Sequence, residues 1–324
     1  MGKASRTKQD GDRRARIAAQ REAERRAAQR KRIYLAGGSI LVVAIVVIAF
    51  VLVKLNSNGT PAASSSGPTG TALTALTKQV TGVPAGVTDQ VAGGGVDKGV
   101  FVPMGTSAQI KSVSATGASY FGTVTGTPLT SGGKPEVLYL GAEYCPFCAA
   151  QRWAMVNALS RFGTFTGLTT SHSSSTDADP NTPTFTFYKS TYKSDYLAFT
   201  PVEETGNTPN SSGSYPTLQT PTAAQTALAQ AYDPGTGNGG AIPFIDLGNK
   251  YVQVGNLSPL SPTLLAGKTW AQVAAAMNDP TSAIGKAEIG NANYMTDGNC
   301  TLTKNLPATA CTPTIQKLES DFAS

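Results

Sequence analysis

Cys145-Pro146-Phe147-Cys148 is the segment of this sequence best equipped for chemistry. A thiolate is both a nucleophile and a leaving group, and its reactivity is set by its pKa. A second thiol three residues on can attack a mixed disulfide formed at the first and release whatever is bound there. That spacing reads as a redox pair with Cys145 as the low-pKa, exposed member and Cys148 as the resolving one. A structural disulfide and a zinc half-site are the alternatives. Zinc needs two further ligands. The chain offers one histidine, His172, and one other cysteine pair, Cys300 and Cys311, whose spacing fits a zinc ribbon poorly. No metal and no cofactor is therefore expected.

Cys300 and Cys311 flank Thr301–Ala310. They read as a structural disulfide closing a short loop, worth about 3 kcal/mol. A second redox pair passing electrons to Cys145 and Cys148 is the sharper alternative. His172 lies in a Ser/Thr-rich stretch and reads as solvated, as do the scattered carboxylates Asp177, Asp179, Glu203 and Glu204. No P-loop, dinucleotide fingerprint or Ser-His-Asp set is present.

These thiols must be positioned by the elements around them. Glu136–Leu140 is a short apolar run after a Gly-Gly-Lys-Pro turn and predicts a buried strand ending just before the cysteines. A helix follows, with Ala149, Trp153, Val156, Leu159 and Phe162 on its apolar face; Pro146 suits its first turn and Gly163 its end. A thiol at such a helix start has its thiolate stabilised by free N–H groups and the positive dipole end. Strands are expected at Phe165–Thr170, Phe185–Phe187 and Tyr196–Phe199, with a loop over 204–220 and a helix at Thr222–Tyr232. Ala241–Val254 reads as a hairpin turning at Gly248-Asn249. Helices over about 262–278, 280–293 and 313–322 complete the chain. Ile242-Pro243 opens a strand where a ladder N–H is needed. That predicts a cis bond facing a site; a simple turn proline at a strand edge is the alternative.

Strand, C-x-x-C, helix, then Ile242-Pro243 before a hairpin together resemble the thioredoxin fold over roughly residues 100–295. The wording Leu-Tyr-Leu-Gly-Ala-Glu-Tyr-Cys-Pro-Phe-Cys-Ala, with Thr-Phe-Thr-Phe-Tyr downstream, is similar to a family of membrane-anchored thioredoxin-like proteins of actinobacteria and archaea catalogued as a domain of unknown function. The Pro146-Phe147 dipeptide resembles the DsbA-type thiol–disulfide oxidoreductases rather than the Gly-Pro of thioredoxin. Tyr139 stands where thioredoxins carry a buried Asp. The resemblance implies an α/β thioredoxin-like fold with an insertion over about 164–240. It also implies that Ile242 and Pro243, with Pro146 and Phe147, form the substrate-binding edge beside the catalytic Cys145 and Cys148.

Composition bounds the rest. The chain has 324 residues, 40% hydrophobic and 14% charged, which argues against disorder. Residues 1–32 hold 12 Lys/Arg and 4 Asp/Glu, a balance of +8; the remainder, with 14 basic and 16 acidic residues, carries −2. The basic character is thus one tail, and nucleic-acid binding is not expected. Residues 33–53 are uncharged and contain ten Val or Ile. They are long enough to predict a transmembrane helix, against the alternatives of a buried core helix or a signal peptide. The expected organisation is a basic cytoplasmic tail at 1–32, a transmembrane helix at 33–53, a flexible linker at 54–71 and an extracytoplasmic domain at 72–324. A single-pass protein of the cell membrane follows, with all four cysteines in an oxidising compartment.

The functional expectation is a membrane-tethered thiol–disulfide oxidoreductase, acting as disulfide donor or isomerase. Its expected partners are the membrane, extracytoplasmic cysteine-containing proteins and a quinone-linked membrane redox partner. The rival is a thioredoxin-like binding module with inert disulfides.

Overall fold

Alternation organises the central strand. Val137 and Tyr139 point to one face of the sheet and Leu138 and Leu140 to the other, and all four are buried. This strand therefore lies between two apolar layers. The computed structural model describes residues 66–94, 121–232, 241–255 and 260–322.

In chain order the elements begin with helices α1 (Gly70–Thr81) and α2 (Ala85–Val91). Short strands β1 (Gly122–Thr123) and β2 (Thr130–Ser131) lead to β3 (Lys134–Gly141) and helix α3 (Pro146–Ser160). Then come β4 (Gly163–Thr166), β5 (Thr169–His172), β6 (Pro183–Thr186), β7 (Thr191–Ser194) and β8 (Ala198–Glu203). Helix α4 (Ala223–Tyr232) precedes strands β9 (Phe244–Leu247) and β10 (Tyr251–Val254). The remainder is a 3-10 turn (Pro262–Leu265) and helices α5 (Trp270–Met277), α6 (Ala283–Leu302) and α7 (Pro313–Phe322).

The main sheet runs β1-β10-β9-β3, with β8 parallel along the other side of β3 and β2 paired to its start. Strand β9 is antiparallel to β3 and β10 to β9. The hairpin turns through Gly248 (φ 66°) and Asn249 (φ 53°), a left-handed pair that a Gly-Asn sequence adopts readily. On one face Val137, Tyr139, Ile245 and Leu247 share a core with buried side chains of α3, α5 and α6. On the other, Leu138, Leu140, Phe244 and Val252 pack with Ala229 of α4. The strand, motif helix, 222–232 helix and hairpin stand where the sequence predicts them.

Several expectations are corrected. The expected transmembrane helix at 33–53 lies outside the described residues, and among the described residues no helix is long and apolar enough to cross a membrane. The longest described helix, α6, has 20 residues but includes Lys286, Glu288 and Asp297. The described fold is a mixed α/β sheet-and-helix architecture, and it gives no support to the spanning helix or to the cell-membrane localisation with an extracytoplasmic domain that the sequence suggests. Helix α1 begins at Gly70, inside the expected 54–71 linker. The expected strand 165–170 is split into β4 and β5 by Gly167 at φ 76°. The two halves pair with β7 and β6 rather than with the main sheet. Gly163 opens β4 instead of ending α3, which stops at Ser160. The 262–278 helix is a 3-10 turn and a separate α5, divided at Gly267 (φ 66°) and restarted by a capping box at Thr269 and Gln272. The stretch expected as an insertion, about 164–240, supplies β8, the parallel neighbour of the central strand.

Candidate functional site

Cys145 is the N-cap of α3. Its backbone is extended (φ −74°, ψ 121°), Pro146 occupies the first turn, and its Sγ accepts the N–H of Cys148 at 3.3 Å. The segment is set by its sequence: β3 delivers the chain to the sheet edge, Pro146 forbids continuation of the strand ladder, and the apolar face of α3 docks the helix. Cys148 lies one turn deeper and is fully buried. The two thiols diverge electrostatically. Cys145 is held below the ordinary thiol value, chiefly by hydrogen bonding from Cys148, then by backbone N–H donation and the nearby Arg152, against the opposing effect of burial. Cys148 is pushed up, first by burial and then by Cys145 itself.

Cys145 was expected to be exposed. It is 7% exposed, more open than Cys148 at 0% but a buried residue all the same. Phe147 is half-buried and Pro146 buried. The Ile242-Pro243 bond is cis, and the Cys145 thiol lies 3.9 Å from the Ile242 carbonyl oxygen. The structure thus brings Cys145, Cys148, Pro146, Phe147, Ile242 and Pro243 together at the end of the central strands. Cys300 and Cys311 form a disulfide, Cα–Cα 5.6 Å, joining the end of α6 to the segment before α7. Among the described residues no group of three or more His, Cys, Asp or Glu is arranged to hold a metal. His172 is half-buried, its Nδ1 2.8 Å from the Ser173 carbonyl oxygen.

Beneath the motif is a pair that sequence reasoning missed. Arg152 and Glu203 are both fully buried and form a two-pronged ion pair, Nε to Oε1 at 2.8 Å and Nη2 to Oε2 at 2.6 Å. The same Nη2 donates to the Ala142 carbonyl at 2.8 Å, while Nη1 has no hydrogen-bond partner. The guanidinium carbon stands 5.8 Å from the Tyr139 ring centre. Arg152 is four residues after Cys148, so the two side chains share one helix face. Glu203, read from sequence as a solvated loop carboxylate, instead ends β8, the parallel neighbour of the central strand, and also accepts the Phe187 N–H at 3.1 Å. The available signal was the one charged residue of a helix whose other polar side chains, Gln151, Asn157 and Ser160, are few and uncharged: such a helix has little solvated face to offer an arginine.

A second unforeseen group adjoins the motif. The Tyr144 ring stacks on Tyr215, centroids 4.4 Å apart and planes 8° from parallel. Burial, and then Cys145, push the Tyr144 hydroxyl up to about 12.

A family model described as "Domain of unknown function (DUF929)" matches residues 120–297, more than half of the chain and all of the central sheet. That description mentions neither thioredoxin nor a membrane anchor. No curated protein and no solved structure matches the chain.

Proposed function

We propose that this chain, which belongs to the family described as Domain of unknown function (DUF929), is a thiol–disulfide oxidoreductase working through Cys145 and Cys148. The observation that carries the reading is geometric: Cys145 caps the helix with its Sγ accepting the Cys148 N–H at 3.3 Å and lies 3.9 Å from the Ile242 carbonyl oxygen, while Cys148 is sealed one turn deeper. The lowering of Cys145 and raising of Cys148 agree with it. A relation to thioredoxin-like proteins is part of the proposal. It is supported by the parallel β3–β8 pair, the antiparallel β9–β10 hairpin and the cis proline beside the helix-capping cysteine.

In the donor direction, a substrate thiolate attacks Cys145 Sγ of the oxidised pair. The Cys145–Cys148 bond breaks, a mixed disulfide forms and Cys148 departs as thiolate, taking up a proton because burial favours its neutral form. A second substrate thiolate then attacks the substrate sulfur of the mixed disulfide and expels Cys145. The substrate loses two electrons and the protein gains them. Stabilising the departing Cys145 thiolate stabilises the reduced protein, which makes the pair oxidising and favours donation of disulfides or their isomerisation. Cysteine-containing proteins are the substrates of this reading, and a quinone-linked redox partner would return the pair to the disulfide. Ile242, Pro243, Pro146 and Phe147 supply the edge against which a substrate chain lies.

The test is a trap. In the reverse, reductive direction Cys145 thiolate attacks a substrate disulfide and Cys148 must resolve the product. Cys148→Ser should therefore accumulate reductant-sensitive, higher-mass species on non-reducing gels, and Cys145→Ser should give none. If neither variant traps a partner and the wild-type disulfide has a potential below about −300 mV, the pair is structural and the binding-module reading replaces this one.

A further inference from the structure

The segment after β8 is tied down at both feet and free at its tip. At its base Glu204 donates its N–H to the Gly141 carbonyl at 2.7 Å, and Glu143 donates to Thr205 at 2.9 Å, so the chain is fastened to the end of the motif strand. Thr205 and Thr217 form an antiparallel bridge, and Gly206 N–H donates to Pro216 at 2.9 Å, which closes the segment into a strap. Its tip, Asn210 to Ser214, is exposed and held only by its own hydrogen bonds. One side chain pins the strap to the thiol site. Tyr215 stacks on Tyr144, the residue preceding Cys145. Its hydroxyl donates to Ser174 Oγ at 2.8 Å, and the Ser174 N–H in turn donates to the Tyr144 carbonyl at 2.8 Å. Ring and hydroxyl thus clamp the backbone immediately before the nucleophile from two directions, one residue from a thiol only 7% exposed.

We infer that Tyr215 is a specificity-determining residue of the Cys145 site: it holds the 205–217 strap against Tyr144, so that slender partners reach the thiol and bulky ones wait for the strap to lift. The inference rests on the assignment of Cys145 as the reacting thiol, and it adds what that assignment leaves open, the size of partner admitted. Asn207 also ties the strap to β5, donating to the His172 carbonyl at 2.9 Å and to Ser171 Oγ at 3.3 Å. The part that Tyr215 alone holds is therefore the return limb beside Tyr144. A stacked aromatic pair and neutral hydrogen bonds are each modest, strong enough to keep that limb down most of the time and weak enough to release it.

The experiment uses the full chain carrying Cys148→Ser, so that Cys145 is the reporting thiol, and two maleimides of identical chemistry. One is N-ethylmaleimide and the other carries a polyethylene glycol chain of several kilodaltons. Tyr215→Ala should speed the bulky reagent about tenfold while changing the small one less than about twofold, because only the larger needs the lifted strap. Tyr215→Phe, which leaves both rings in place and removes the hydroxyl's bonds to Ser174 and Thr176, should shift the ratio in the same direction by about threefold, and it serves alone if Tyr215→Ala does not fold. A ratio of bulky to small rates that stays at the wild-type value in these variants overturns the inference. The outcome is separable from that of the trap: a shifted ratio with no trapped partner keeps the gate and removes the redox reading, and a trapped partner with an unchanged ratio does the reverse.

Discussion

Nothing in the Cys145 side chain distinguishes it from Cys148; their surroundings do. One sulfur caps a helix and receives N–H groups, while the other is sealed beneath it and receives the neighbour's charge. The rate of Cys145 alkylation should therefore inflect below the pH of an ordinary thiol, since only the thiolate reacts. Arg152 is one of the groups holding that value down, so Arg152→Met should move the inflection upward and Arg152→Lys should move it less. A pH series of small-maleimide rates on the reduced chain with Cys148 in place, whose buried and raised thiol stays unreactive, measures both, and an inflection that Arg152→Met does not move would separate the arginine from the thiol. The motif itself was legible because its signals are local: cysteine spacing, a helix-starting proline and an apolar helix face lie within one stretch of chain. Cys145's burial was not legible, because the groups around it include the Ile242 carbonyl, ninety-seven positions away in sequence, and no local pattern reports that approach.

Between elements, the ion pair is the feature that joins the motif helix to the parallel strand. Arg152 belongs to α3 and Glu203 to the end of β8, and among the described residues each is the other's ion-pair partner. Glu203→Gln strands a fully buried guanidinium and should lower stability by about 3–5 kcal/mol in denaturant unfolding. Replacing both residues, Arg152→Met with Glu203→Leu, should restore much of that loss, since two apolar side chains need no compensation. A double variant as unstable as the single one would mean that packing, not uncompensated charge, sets the effect. The strand–helix–hairpin order was readable from periodicity. The pairing of β8 alongside β3 was not, because Ala198–Glu203 mixes small, aromatic and polar residues with a proline, and parallel pairing leaves no turn signal between partners. The 262–278 and 165–170 readings failed at Gly267 and Gly167, where a left-handed residue interrupts a pattern that hydrophobicity alone would continue.

Across the whole molecule, buried acids set how stability responds to pH. Asp246 sits in the central strand β9, with one oxygen accepting the Asn249 N–H and the other without a hydrogen-bond partner. Burial, together with Glu136, raises it from 3.8 to about 7. The folded state then binds more protons than the unfolded one between those values. Stability is therefore greatest on the acid side and falls as pH rises through 7. Glu288 and Glu204, both raised by burial, act in the same direction. Asp246→Asn keeps an acceptor for Asn249 and removes the ionisation, so it should be the more stable protein above pH 7 and lose that advantage by pH 4. Unfolding midpoints measured across that range decide it, and parallel curves for the two proteins would show that Asp246 does not carry the dependence. The separation of the two cysteine pairs has a consequence for biosynthesis. Cys145 and Cys148 share one turn of chain, and Cys300 and Cys311 are eleven residues apart. A polypeptide emerging from its N-terminus exposes the first pair long before either member of the second exists. Cys145 and Cys148 can be folded into the start of α3, Cys148 fully buried there, before Cys300 and Cys311 are made, so the order of translation itself favours the Cys300–Cys311 linkage.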